Sequence, residues 1–267
     1  MRSHWRKFER AGEHEVALNR AVECWLKTDA YTIGRKVDPE SGDTVRWAQI
    51  KEPPPVRLSI LAGDALHNFR TALDHVVYAI AEQHLGSALT PAIEAKLMFP
   101  IVGNENSKGE PANGPDIFGS NKGAWLYGIP SEARDFIENE QPYRRFHDPS
   151  DPTGRGYLWD PLWNLYDLER IDKHRRLNVT SAWLGMPSVS VPEGSDPRIK
   201  WTRADGPVQN GDIVVTYSGA SEGVDAHLPR NVTLAEGTAA NQAIATTFQN
   251  VRQRVAWIVG QLERIAL

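Results

Sequence analysis

Two short stretches are unusually dense in side chains able to move protons or hold charge. Residues 63–75 read GDALHNFRTALDH, and residues 171–176 read IDKHRR. On a helix, at about 100° per residue, Asp64, His67, Asn68, Arg70, Thr71, Asp74, His75 and Tyr78 share one arc. Ala62, Ala65, Leu66, Phe69, Ala72, Leu73, Val76, Val77 and Ile80 share the opposite arc, which must face a core. Arg70 and Asp74 make an i,i+4 pair, and His67 stands two turns before Asp74. The polar arc is short of lysine and glutamate, the usual choices for a solvated helix face. It uses short, stiff polar groups that suit directed hydrogen bonds better than solvent.

Nitrogen and oxygen donors of this kind suit zinc, iron or manganese, supplied by His67, Asp74, His75 and Asp64 or by Asp172 with His174. The spacing follows no familiar metal pattern, since His-Glu-x-x-His, paired Glu-x-x-His and cysteine ligands are all missing from the sequence. No cofactor is expected. Equally, Asp64, Asp74 and Asp172 can act as acceptors in a buried network that joins helix 57–84 to helix 160–177, with His67 and His174 as satisfied core histidines.

Arg170, Lys173, Arg175 and Arg176 crowd around Asp172 and His174 and form the densest positive cluster of the chain. Lys173, His174, Arg175 and Arg176 are therefore the candidate contacts for a phosphate backbone, whatever the overall charge. Asp172 and His174 are two residues apart and cannot share a continuing helix face. A strand-like run starts at Leu177 and puts His174 at a helix end, where a charged imidazole is favoured.

The elements that must position these residues follow from periodicity. Residues 5–27 give an amphipathic helix, interrupted near Gly12, with Phe8, Val16, Ala17, Val22, Trp25 and Leu26 among charged positions. A β-hairpin spans 30–50 around a turn at Pro39 and Gly42. Pro53-Pro54-Pro55 precedes the long helix 57–84. Residues 86–130, rich in glycine and proline, read as a long excursion that wraps the helices. A short helix at 131–143 has Ser131 as its cap and Pro142 beyond its end. Helix 160–175 is capped by Asp160, with Pro161 in its first turn and a stripe of Leu162, Leu165, Leu168 and Ile171. Residues 176–235 give a small antiparallel sheet of four or five strands. The last helix, 239–265, turns Ile244, Phe248, Val251, Val255, Ile258, Leu262 and Ile265 inward. The expected fold is α+β, one domain over 1–267. A bundle of long amphipathic helices carries a hairpin after the first helix and a β-rich insertion before the last.

Composition narrows the function. At 267 residues, 40% hydrophobic and 24% charged, the chain can build a substantial core. A net charge of −4 gives no global attraction to nucleic acid or acidic lipid. No run of 18 apolar residues and no leader pattern occurs, and Cys24 is the single cysteine. A cytoplasmic protein without disulfides or membrane spans is expected. His4, His14, His84, His147 and His227 stand alone among polar residues and read as surface. G-x-G-x-x-G, Walker and G-x-S-x-G patterns are missing from the sequence, against the usual nucleotide-binding and α/β-hydrolase folds.

GDALHNFRTALDH followed by LERIDKHRRLNVT resembles a group of actinobacterial and phage proteins that share G-D-x-x-H-N-x-R-x-A-L-D-H and a later D-K-H-R. That resemblance brings no activity with it. The spacing from Arg70 to His75 is also similar to the signature of HEPN proteins, helical bundles that include metal-independent RNases of toxin and phage-defence systems. Thr71 departs from that pattern, where asparagine, aspartate or histidine is more typical, and so does the long β-rich segment.

The HEPN resemblance implies an endoribonuclease in which the 2′-hydroxyl attacks the adjacent phosphate. His75 would transfer the proton, Arg70 would stabilise the phosphorane oxygens, and His67 and Asn68 would assist. Arg70 and His75 lie about 140° apart around the helix (five steps of roughly 100°). A homodimer would combine both copies into one site. Three readings follow: a metal-free RNase with RNA as partner, a metal-binding bundle or metal-dependent hydrolase, and a non-enzymatic protein whose polar network fixes the fold while the β-rich segment binds a protein partner.

Overall fold

The computed structural model describes residues 2–28, 30–103, 118, 124–145, 155–183, 188–191, 193, 196–202, 209–218, 224–227 and 230–267. Helix α1 (Ser3–Leu26) runs unbroken through Gly12, because its inward face of Ala11, Leu18, Val22 and Trp25 packs on α2 (Val56–Leu85). That packing outweighs the cost of about 1 kcal/mol for a glycine inside a helix. Val16, expected inside, is 57% exposed, and Leu18 takes the core position. The ring of Phe8 lies 5.7 Å from that of Phe69, and His14 faces Asp64, so the two helices run antiparallel. All nine apolar residues assigned to the inner arc of α2 are buried.

The short helix α3 (Ser131–Asn139) starts behind Pro130 without a side-chain cap, so Ser131 does not cap it. Pro142 opens a separate turn, Pro142–Arg145. Helix α4 (Pro161–His174) begins as its sequence suggests: Asp160 Oδ1 accepts the Leu162 N–H at 2.7 Å, and Pro161 occupies the first turn. Its stripe of Leu162, Leu165, Leu168 and Ile171 is buried. Helix α5 (Ile244–Ala266) starts five residues later than its expected 239. The preceding segment is tied to α4 instead: Asp167 Oδ2 accepts the Thr238 N–H at 2.9 Å, and the Thr238 hydroxyl donates to Asn164 Oδ1 at 2.7 Å.

The strands do not form a self-contained insertion. β1 (Tyr31–Val37) and β2 (Thr44–Ile50) make the expected antiparallel hairpin, with Gly42 at φ 72° in its turn. β5 (Arg198–Trp201) and β6 (Ile213–Ser218) join that hairpin in a four-stranded antiparallel sheet of order β1-β2-β6-β5. The remaining strands pair off, β3 (Val179–Trp183) with β8 (Arg230–Leu234) and β4 (Ser188–Ser190) with β7 (Asp225–His227). The result is an α+β fold. One large core draws on α1, α2, α4, α5, β3 and β8, and a small cluster of Val215, Tyr217 and Val224 lies under the sheet. Within the excursion, Phe99, Ile101, Val102, Phe118 and Leu126 enter the large core, so its described part does wrap the helices. No helix among the described residues is long and apolar enough to cross a membrane.

Candidate functional site

The polar arc of α2 is one face in the sequence but several neighbourhoods in the fold, because α1, α4 and the excursion each cover part of it. Arg70 and Asp74 face the excursion. Arg70 Nη2 donates to the Phe99 carbonyl at 2.7 Å, and Asp74 Oδ1 accepts the Phe99 N–H at 2.9 Å. The guanidinium and carboxylate also lie 3.3 Å apart. The i,i+4 pair thus grips both backbone groups of one fully buried residue. The Arg70 side chain is only 12% exposed, and its Nη1 is buried without an acceptor. Burial pushes the Asp74 carboxyl above its ordinary proton affinity, against the opposing pull of Arg70 and the Phe99 N–H.

Asn68 and Thr71 bond backwards within the helix. Asn68 Nδ2 donates to the Asp64 carbonyl and Thr71 Oγ1 to the His67 carbonyl, each at 2.8 Å. His75 points the other way, toward α1, in the field of Lys7 and His4. Burial, then Lys7, lowers its proton affinity, while Asp74 opposes the shift. Its Nδ1 is buried with no partner. Arg70 and His75 therefore serve different interfaces.

A mixed cluster forms where the start of α2 meets the end of α4. Asp172 leans so close to α2 that a Cβ on Gly63 would sit 2.6 Å from its Cγ, which explains glycine at this buried helical position. Asp172 also accepts the Leu177 N–H. Burial first, then the charges of Asp64 and Glu169, raise its proton affinity. His67 is 62% exposed, with Nδ1 3.7 Å from the buried Glu169 Oε1. The Lys173 ammonium lies 2.7 Å from the same oxygen, without hydrogen-bond geometry. His14 reaches Asp64 at 3.8 Å. Glu169 and His14 escape the sequence reading. Glu169 was legible as an i,i+4 partner of Lys173, whereas His14 comes from α1, far away in the chain.

The basic cluster is largely neutralised. Arg170 pairs with Asp167 at 2.7 Å, Lys173 with Glu169, and Arg175 with Glu236 at 2.6 Å. His174 and Arg176 are exposed. Contrary to the expectation of a buried network, neither His67 nor His174 is a core histidine. Asp74, His75 and His174 lie apart from the cluster of Asp64, His67 and Asp172, and among the described residues no three of His, Cys, Asp and Glu converge as a metal site.

Of the histidines read as surface, His4 is built in, whereas His84 is exposed as expected. His4 is fully buried, with Nε2 2.8 Å from Glu263 Oε1, and Trp5 Nε1 donates to the other oxygen at 2.8 Å. His84 lies 3.3 Å from the Ala266 carbonyl. His227 falls in β7, and His147 lies outside the described residues. No protein-family model, curated protein or solved structure matches the chain.

Proposed function

We propose that the chain is a non-enzymatic, partner-binding cytoplasmic protein in which the polar arc of α2 locks the fold. The observation that carries this reading is the commitment of Arg70, held by the Phe99 carbonyl and Asp74 and turned away from His75. A guanidinium so placed would have to abandon a buried carbonyl and a carboxylate before reaching a phosphate. The partner surface is the β-rich segment. Every residue of the edge strand β5 is exposed, including the apolar Ile199 and Trp201. Among the described residues no strand pairs with its outer edge, which suits an extended segment of a protein partner.

A HEPN-like, metal-independent RNase remains as a second reading, moved along the helix. One observation favours it: the exposed His67 stands near Asp172, whose carboxyl is biased toward the protonated form. Against it, Asp64 and Glu169 place negative charge beside His67 and Asp172, which repels a phosphate. In this reading a homodimer would have to supply the missing cation.

Incubation of the protein with structured and single-stranded RNA, with and without EDTA, separates the two. The locking reading predicts no cleavage by the wild type and a lowered melting temperature for Arg70→Ala. EDTA-resistant cleavage that disappears in a fully folded His67→Ala variant would establish the RNase and overturn the lock as the function of this face.

A further inference from the structure

An open cavity of about 510 Å³ lies between the second half of α1 and the start of α2 and shares no lining residue with the polar cluster. Ala17, Ala21, Trp25, Pro55 and Leu58 give it an apolar lining. Arg20 on α1 and Arg57 on α2 supply its cations. Among the described residues neither has a carboxylate partner, although most of the other arginines that fix this fold do. Trp25 is buried, and its indole N–H meets no acceptor among the described residues. One turn beyond each arginine stands an exposed aliphatic residue, Val16 before Arg20 and Ile60 after Arg57.

We infer that this cavity binds an organic monocarboxylate with an apolar body, such as a medium-chain fatty acid. The volume falls within the roughly 300–1,000 Å³ of small-molecule sites. The two guanidiniums from different helices suit one carboxylate, which accepts from both. The apolar lining takes the hydrocarbon. Glu52 also lines the cavity and leaves one net positive charge there, so a single anion is matched and a polyphosphate is not. This inference is independent of the reading of the α2 polar arc.

Cys24 lines the cavity, is exposed and is the chain's single cysteine, so its reactivity reports occupancy. The test is the rate of Cys24 alkylation by the uncharged reagent N-ethylmaleimide, titrated with decanoate and with decanol. Decanoate should slow the reaction saturably below about 1 mM, and decanol should need about 10-fold more. The Arg20→Gln/Arg57→Gln variant, changed only at exposed positions, should keep its melting temperature and lose the preference for the carboxylate. Equal protection by decanoate and decanol, an unchanged preference in the double variant, or no saturable protection would each overturn the assignment.

Discussion

His75 and Asp172 belong to different neighbourhoods, and folding shifts their proton affinities in opposite directions. Burial and Lys7 lower the affinity of His75 below its ordinary value of 6.5. The neutral ring therefore contributes stability above pH 6.5, and that contribution disappears as pH falls through the depressed folded value. Burial and the neighbouring carboxylates raise Asp172 above its ordinary 3.8. Its contribution is present below that pH and is lost as pH rises through the raised folded value. Two results are expected from urea denaturation across pH. The acid loss of stability below pH 6.5 should be shallower in His75→Gln than in the wild type. The cost of Asp172→Asn should shrink as pH rises from about 4 toward 7. A ring titration of His75 by NMR with a midpoint at or above 6.5 would contradict the first.

Which elements were legible depended on whether local physics or tertiary contacts decided them. The inner arc of α2 and the Asp160-Pro161 start of α4 were readable because burial period and cap chemistry act within a few residues. The start of α5 was not, because Thr238 is held by Asn164 and Asp167 some seventy residues earlier. The antiparallel strands were legible, but their distribution among sheets was not, for the same reason: pairing of β2 with β6 joins segments that no local pattern connects. The polar arc was recognised, but its division among the excursion, α1 and α4 was not. Gly63 marks the closest approach of α2 to an α4 side chain, and it supplies a prediction with an unusual sign. Gly63→Ala gains helix propensity of about 1 kcal/mol, yet it displaces the whole Asp172 carboxyl from the Leu177 N–H. Overpacking and the lost acceptor together cost about 2–4 kcal/mol. Chemical denaturation should therefore show a net loss of stability, and a more stable variant would refute the close approach.

Across the whole molecule, charge is spent internally. Arg254 and Glu140, Arg145 and Asp160, and Arg252 and Glu15 join distant segments at α3, α4, α5 and α1. Arg70 with Asp74 belongs to the same pattern, since it fastens the excursion to the longest helix. That is why a motif rich in chemically capable residues yields locks in the fold and why the proposed binding surfaces lie elsewhere, at β5 and at the Arg20–Arg57 cavity. The most direct test is a double-mutant cycle on Arg70→Ala and Asp74→Ala, measured by urea denaturation. The lock predicts that Arg70→Ala loses about 2–4 kcal/mol, with a coupling of about 1–3 kcal/mol between the two sites. An Arg70→Ala variant within about 0.5 kcal/mol of the wild type, with no coupling to Asp74, would contradict the account.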